Sequence, residues 1–193
     1  MNFNRSRLVI FLLPLFFLAC VGAPHKTPHK TAHQTPGIPE HCVARRAAMD
    51  VGSGSTKIKV ADVDTCREKT ISILYNGQVA LALKENLADG KFSAEFLDVA
   101  AEKILKLAME ATKYNVPMNE VAAVGTQALR EAKNSQDLIE TLRKSQLRLR
   151  LISQAEEAEL GHRAAVSDSD LNAKDITSFD IGGGSFQIVT LSP

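Results

Sequence analysis

The sequence has almost no net charge, with 23 Lys and Arg against 22 Asp and Glu. That balance gives no reason to expect nucleic acid or a polybasic membrane surface as partner. A long apolar run is missing too. Leu8 to Ala19 is only twelve residues, short of the roughly 20 that a helix needs to span a bilayer. Tryptophan is absent and there are three cysteines, so at most one intramolecular pair can form. In other respects the composition is that of a globular chain, 45% hydrophobic and 23% charged. Its 193 residues can hold one domain and part of another.

The apolar run follows Arg5 and Arg7 and ends in Phe17-Leu18-Ala19-Cys20. A basic start, a short apolar core and a small residue before a cysteine suit a secretory signal. The end is similar to a bacterial lipobox, with Phe17 where Leu is usual. This reading makes residues 1–19 a signal peptide and Cys20 the lipidated first residue of an exported protein. Such a lipoprotein would sit on the periplasmic face of a bacterial membrane, the outer one favoured. An ordinary cleaved signal or a retained anchor is the alternative. Loss of Arg5 and Arg7 with the signal turns the small positive balance into −1. Val21 to His41 repeats Pro-His-Lys-Thr and reads as an extended, solvated linker. Its His25, His29, His33 and His41 could bind metal weakly, but a tether is the simpler reading.

Two later stretches nearly match each other. Met49 to Val60 is MDVGSGSTKIKV, and Phe179 to Val189 is FDIGGGSFQIV. Each has an aspartate in an apolar strand, a glycine-rich reversal and a second β-prone run, which describes a tight hairpin. The turn amides of such a hairpin can cradle an anion. Two copies with matched aspartates suggest paired phosphate clamps across a cleft, with Asp50 and Asp180 holding a cation between them.

Between the copies, the pattern predicts strands at Val43–Val51, Thr56–Val63 and Thr70–Leu74, and further strand at Gln78–Leu83 beyond a turn at Asn76-Gly77. Ser93 is the expected N-cap of a helix running to about Lys113, with Phe96, Ala100, Ile104, Leu107, Ala108 and Ala111 on one face. A strand at Val121–Thr126, a short helix from Gln127, a helix at Ser135–Lys144, a strand at Leu147–Ile152 and a helix at Gln154–Val166 follow. A polar loop over 167–174 then leads to Ile176–Ile181 and the second glycine turn. The order β-β-β-α-β-α-β-α, then a hairpin, predicts an α/β domain with a mixed sheet.

Four blocks carry a resemblance. They are Asp50-Val51-Gly52-Ser53-Gly54-Ser55, Val124-Gly125-Thr126-Gln127-Ala128-Leu129-Arg130, Ile152-Ser153 with Glu156-Glu157-Ala158, and Asp180-Ile181-Gly182-Gly183-Gly184-Ser185. In this order and spacing the chain resembles the exopolyphosphatase and guanosine pentaphosphate phosphohydrolase family. That family lies within the superfamily of actin, sugar kinases and heat-shock ATPases. The resemblance implies a ribonuclease-H-like first lobe at 42–174 and the start of a second lobe at 175–193. It also implies Mg²⁺-assisted hydrolysis of a phosphoanhydride bond in polyphosphate or a phosphorylated guanosine nucleotide. By match, Glu157 orients and deprotonates water, Asp50 and Asp180 hold Mg²⁺ directly or through water, and Arg130 offsets phosphate charge. Gly52, Ser53, Gly54, Ser55, Gly182, Gly183, Gly184 and Ser185 hold phosphate oxygens. Arg130 can equally be the ion-pair partner of a nearby carboxylate. Lys57 departs from the family's usual small or apolar residue. It stands seven residues after Asp50, as a lysine does in actin-like members, and either contacts phosphate or points outward from its strand.

Helical periodicity separates the two adjacent glutamates. Glu157 shares a face with Gln154, Ala158, Gly161 and Ala165, whereas Glu156, Glu159 and Arg163 lie on another. Glu157 is thus the carboxylate among small residues, where another surface can approach. His162 has no partner evident in the sequence and reads as structural. The midpoint of Cys42 and Cys66 is Gly54. A hairpin symmetric about that glycine sets the two cysteines opposite each other as a disulfide, and a one-residue bulge would leave both free.

The sequence stops at Pro193, just past the second hairpin, so the second lobe is expected to be incomplete unless a partner chain or second copy completes it. Two other readings stand beside the hydrolase: a non-catalytic phosphate-binding or partner-binding lipoprotein, and a fragment of a longer phosphatase.

Overall fold

The computed structural model describes residues 37–167, 176–182 and 186–190. The signal segment, Cys20, most of the linker, the loop at 168–175 and Gly183-Gly184-Ser185 lie outside the described residues. Five strands form the main sheet: β1 (Val43–Val51), β2 (Ser55–Asp64), β3 (Lys69–Ala80), β4 (Ala122–Gly125) and β5 (Leu149–Leu151). Their order is β3-β2-β1-β4-β5. The first three run antiparallel, and β1, β4 and β5 run parallel. The sheet is therefore mixed and the fold α/β.

Alternation decides which face is covered. Ala47, Met49 and Val51 of β1 and Ile58 and Val60 of β2 are buried, while Ala48, Asp50, Lys57 and Lys59 between them are exposed. The buried face meets α1 (Ala94–Ala108) and α3 (Ser135–Lys144), which contribute Ala100, Ile104, Leu107 and Ala108, and Leu138 and Leu142. Each fully buried Leu or Ile stabilises the fold by about 1.5–3 kcal/mol relative to exposure. Ser93 caps α1 by accepting from the Phe96 amide at 3.1 Å.

The helix is shorter than the sequence predicts. Beyond Ala108 the chain tightens into a 3₁₀ segment, Met109–Tyr114, which keeps Ala111 buried and ends at Asn115 with φ 62°. The predicted turn at Asn76-Gly77 is also absent, since β3 runs unbroken through it. Tyr75 supplies the reason. A Cβ on Gly77 would lie 2.5 Å from the Tyr75 hydroxyl, so the tyrosine ring lies over the glycine. That ring also stacks on Tyr114 at 5.9 Å, which replaces the packing an edge-strand glycine lacks.

Cys42 and Cys66 are joined by a disulfide, with Cα atoms 5.4 Å apart. The symmetry assumed from the sequence is off by one residue, because β1 and β2 pair Val43 with Asp64. Cys42 instead faces Thr65, whose amide and hydroxyl both donate to the Cys42 carbonyl, at 2.7 and 3.0 Å. The buried Asp64 carboxylate accepts from the Cys66 and Arg67 amides at 3.0 and 3.1 Å. This turn curls Cys66 back over Cys42 and makes up the missing residue of register.

Two more helices, the short α2 (Gln127–Glu131) and the longer α4 (Gln154–Ser167), follow β4 and β5. Strands β6 (Thr177–Ile181) and β7 (Phe186–Thr190) form a separate antiparallel pair that packs against α4. Among the described residues no helix is long and apolar enough to cross a membrane.

Candidate functional site

The parallel strands bring three motifs to one edge. Asp50 and Val51 of β1 pair with Val124 and Gly125 of β4, and Gly125 pairs with Leu151 of β5. The Thr126 amide donates to the Val51 carbonyl, and the Ile152 amide to the Gly125 carbonyl. The turn after β1, helix α2 and helix α4 therefore all begin at the carboxyl ends of adjacent strands, the edge where open α/β sheets bind ligands. A Cβ on Gly125 would lie 2.8 Å from Leu129 Cδ1 and 2.9 Å from Leu151 Cδ2, so the glycine lets α2 close down on the sheet.

The first glycine turn is held from behind. The Gly54 carbonyl accepts from the Leu81 and Ala82 amides, and the Ser53 carbonyl accepts from the Lys84 amide at 3.0 Å. Lys84 Nζ in turn reaches Glu131 of α2 at 2.6 Å, which ties this support to the helix. Gly52 donates to the Ser55 carbonyl at 3.1 Å, and a Cβ there would sit 3.0 Å from that oxygen. Gly54 has open space where a Cβ would be. Ser53 is buried and Ser55 half-buried, so the turn is fastened on its inner side and bare at Gly54.

Asp50 and Lys57 are direct cross-strand partners, which puts both side chains on the uncovered face beside the turn. Asp50 touches solvent, yet the surrounding protein desolvates its carboxyl and raises it to about 6; Lys57 pulls the other way, and the charges of Glu157 and Asp180 push it up further. The first and second motifs are thus electrostatic neighbours.

Arg130 and Glu157, given separate roles by resemblance, are paired with each other. Arg130 Nη1 donates to Glu157 Oε2 and to the Ile152 carbonyl, both at 2.9 Å. Their side chains are only 23% and 14% exposed. The ion-pair alternative for Arg130 is therefore what the structure displays, with the candidate base itself as partner. Glu156 faces elsewhere, as the helical period requires. Its carboxylate accepts from the Ser153 amide at 2.8 Å while its own amide donates to Ser153 Oγ at 3.1 Å, a reciprocal capping box at the start of α4. Arg150 completes this arrangement at 2.6 Å, and these bonds hold the Glu156 carboxyl down at about 2. Glu159 and Arg163 form an exposed i,i+4 pair at 3.0 Å.

Helix α4 also seats the second motif. A Cβ on Gly161 would lie 3.3 Å from an Asp180 carboxylate oxygen, so the glycine gives Asp180 room against the helix one turn after Glu157. The next residue, His162, is buried and shares a 3.0 Å hydrogen bond from Nδ1 with Ser178 Oγ of β6, the partner the sequence did not disclose. Gln187 is a further residue that the motifs do not single out. It pairs with Asp180 across the hairpin and is buried, with neither amide atom hydrogen-bonded among the described residues. Two-residue alternation in β7 was the available signal, since it puts Gln187 on the side of Asp180. Gly182 is exposed, and Gly183, Gly184 and Ser185 lie outside the described residues.

For a divalent cation, the donor chemistry fits at Asp50 and Asp180: hard carboxylate oxygens whose negative charges oppose one another. Asp50, Glu157 and Asp180 do not form a three-carboxylate set close enough to ligate one ion; among the described residues only His41, Cys42 and Cys66 gather so tightly. One or two carboxylates with water completing the shell is the arrangement Mg²⁺ prefers.

Known structures share this architecture. A Ppx/GppA family member from Aquifex aeolicus superposes with a TM-score of 0.63 at 21% identity, over 76% of this chain and 46% of that one. An exopolyphosphatase from Cytophaga hutchinsonii gives 0.61 at 27% identity, over 76% and 47%. An exopolyphosphatase-like protein gives 0.63 at 23% identity, over 76% and 44%. The chain thus spans less than half the length of the structures it matches, and their fold is that of the actin-like ATPases. No curated protein matches it. The profile of the Ppx/GppA phosphatase family matches residues 60–192, through α2, α4 and the second aspartate motif, and on that match the chain belongs to the Ppx/GppA phosphatase family.

Proposed function

We propose that this chain supplies the catalytic half-site of a Mg²⁺-dependent phosphoanhydride hydrolase of the exopolyphosphatase or guanosine pentaphosphate phosphatase type. The supporting observation is the gathering of Asp50, Lys57, Arg130 and Glu157 at one sheet edge, with Asp180 brought beside them by α4. Asp50 and Asp180 would hold the metal, which supplies charge neutralisation for the transferred phosphoryl group when bound. The bare side of the Gly52–Ser55 turn would take phosphate oxygens, with Lys57 alongside. Glu157, oriented by Arg130, would accept the proton of the attacking water. An incoming phosphate would compete for the Arg130 guanidinium and so weaken its hold on the Glu157 carboxylate as substrate arrives.

In this reading Gly182, Gly183, Gly184 and Ser185 would also hold phosphate oxygens of the substrate. The far wall of the cleft is supplied by a partner chain or a second copy, or by a longer form of the protein. A lipid at Cys20 would anchor the assembly on the periplasmic face of a bacterial membrane, the outer one favoured, with the Pro-His-Lys-Thr segment as tether. No nucleic acid is involved.

A second reading, a non-catalytic phosphate-binding or partner-binding lipoprotein, is favoured by the hairpin. Ile181, Phe186 and Ile188 are 68%, 51% and 55% exposed, and apolar surface of this kind marks a contact site. One assay separates the readings: the chain is incubated with polyphosphate and Mg²⁺, with bound polymer and released phosphate measured in parallel. Release that depends on Glu157 supports the hydrolase; binding without release, in the presence of every candidate partner, supports the second reading.

A further inference from the structure

Away from the cleft, His41, Cys42 and Cys66 gather at the entry to β1, with one ligand atom from each within 4.8 Å of the others. The two sulfurs are bonded in this structure. The backbone around them, however, is fastened by contacts that involve no sulfur. The Cys42 amide donates to the Pro39 carbonyl at 2.9 Å, and Thr65 donates twice to the Cys42 carbonyl. The Cys66 amide donates to the buried Asp64 carboxylate at 3.0 Å. Opening the disulfide would therefore leave two thiols and an imidazole side by side on a held backbone.

We propose that the reduced chain binds a zinc-class cation at His41, Cys42 and Cys66, so that disulfide and metal are alternative closures of one clasp. Two thiolates and one imidazole form a donor set that suits zinc, with a fourth tetrahedral position left for water. Zinc–ligand bonds of about 2.0–2.3 Å place tetrahedral donor atoms roughly 3.5–3.8 Å apart, inside the observed cluster. The sulfurs reach that spacing by side-chain rotation.

A dithiol reductant can carry out the conversion. Cys66 is exposed and Cys42 buried, so the reductant's thiolate attacks Cys66 Sγ. The protein S–S bond breaks, Cys42 leaves as thiolate, and a mixed disulfide forms on Cys66. The reductant's second thiol then displaces Cys66, and the reductant departs as its own disulfide, having given up two electrons. Metal binding displaces the remaining thiol protons.

The test uses the full chain with His25, His29 and His33 replaced by alanine, so that the linker imidazoles do not compete. It is titrated with Zn²⁺ alone, oxidised and after reduction by a phosphine that is then removed. The expected result is one equivalent bound about 100-fold more tightly by the reduced chain. Co²⁺ in place of zinc should show thiolate-to-cobalt charge-transfer absorption. His41→Ala, which keeps both cysteines and an exposed surface position, should weaken binding at least tenfold in the reduced state only. Equal affinity in both redox states overturns the proposal. So does a His41→Ala variant that binds unchanged, or a reduced chain that loses its circular-dichroism signal before metal is added.

Discussion

The five-stranded body and the β6–β7 hairpin carry the same motif in opposite surroundings. In the body, Met49, Val51 and Ile58 around the first turn are buried under α1 and its neighbours, and the turn's carbonyls are tied to Leu81, Ala82 and Lys84. In the hairpin, Ile181, Phe186 and Ile188 around the second turn face solvent. Helix α4 is its main support, through Gly161 against Asp180 and His162 against Ser178. A glycine-aspartate turn is a clamp only when what lies behind it fixes where its amides and carboxylate point. A pair of strands alone is marginal in water, and misplacing a reacting group by about 1 Å can cost on the order of 10²-fold in rate.

The largest effect that would sharpen the contrast concerns α4, the element the two regions share. In an assembly with the far wall present, Glu157→Gln should lower turnover by about 10²–10⁴-fold with substrate binding largely kept. Glu156→Gln should leave turnover nearly unchanged, because Glu156 serves the capping box with Ser153. Steady-state phosphate release distinguishes them, and equal losses would break the assignment of faces.

Next in size are truncations in the two apolar surfaces. Leu138→Ala opens a cavity in the body and should cost about 2–5 kcal/mol in denaturant unfolding. Ile188→Ser should cost less than about 0.5 kcal/mol while reducing self-association in sedimentation. A large stability loss from Ile188→Ser would show that the hairpin's outer face is covered after all.

A smaller effect tests the setting of Asp50, where burial in the body is the main cause and the Asp180 charge of the hairpin adds to it. The Asp50 carboxyl is raised to about 6, so its charged form is disfavoured in the fold. The destabilisation is absent below the ordinary carboxyl range near 4 and fully developed above 6. With chelator present, Asp50→Asn should therefore raise the melting temperature by a few degrees at pH 7.5 and change it little at pH 4. A uniform shift at both pH values would mean that the fold does not hold the Asp50 carboxyl above the ordinary range.

The smallest effect is local. Ser178→Ala removes the hydroxyl that meets His162, and amide exchange in β6 and β7 should quicken while protection in β1 and β2 is unchanged. Equal loosening of both would make body and hairpin one cooperative unit.

Much of this was legible in the residues because it depends on short-range rules. Two-residue alternation located β1 and β2, the Ser93 cap located the start of α1, and the 3.6-residue period parted Glu157 from Glu156. The family resemblance rested on blocks whose local chemistry is readable anywhere, and it carried the fold. Other features depended on contacts far apart in sequence. Asn76-Gly77 carries a turn signature that lost to the Tyr75 ring and its stacking on Tyr114. The ion pair between Arg130 and Glu157 exists because two parallel crossovers end at the same edge, and the bond between His162 and Ser178 because α4 and β6 pack. The Cys42–Cys66 clasp closes through the Asp64 turn and not through the symmetry that a count of residues suggests. Sequence by itself determined most of the elements and the candidate motifs, since propensity, periodicity and capping act within a few residues. Only the tertiary structure decided which motif is supported and which charges face each other, because burial and Coulomb interaction depend on distance in space.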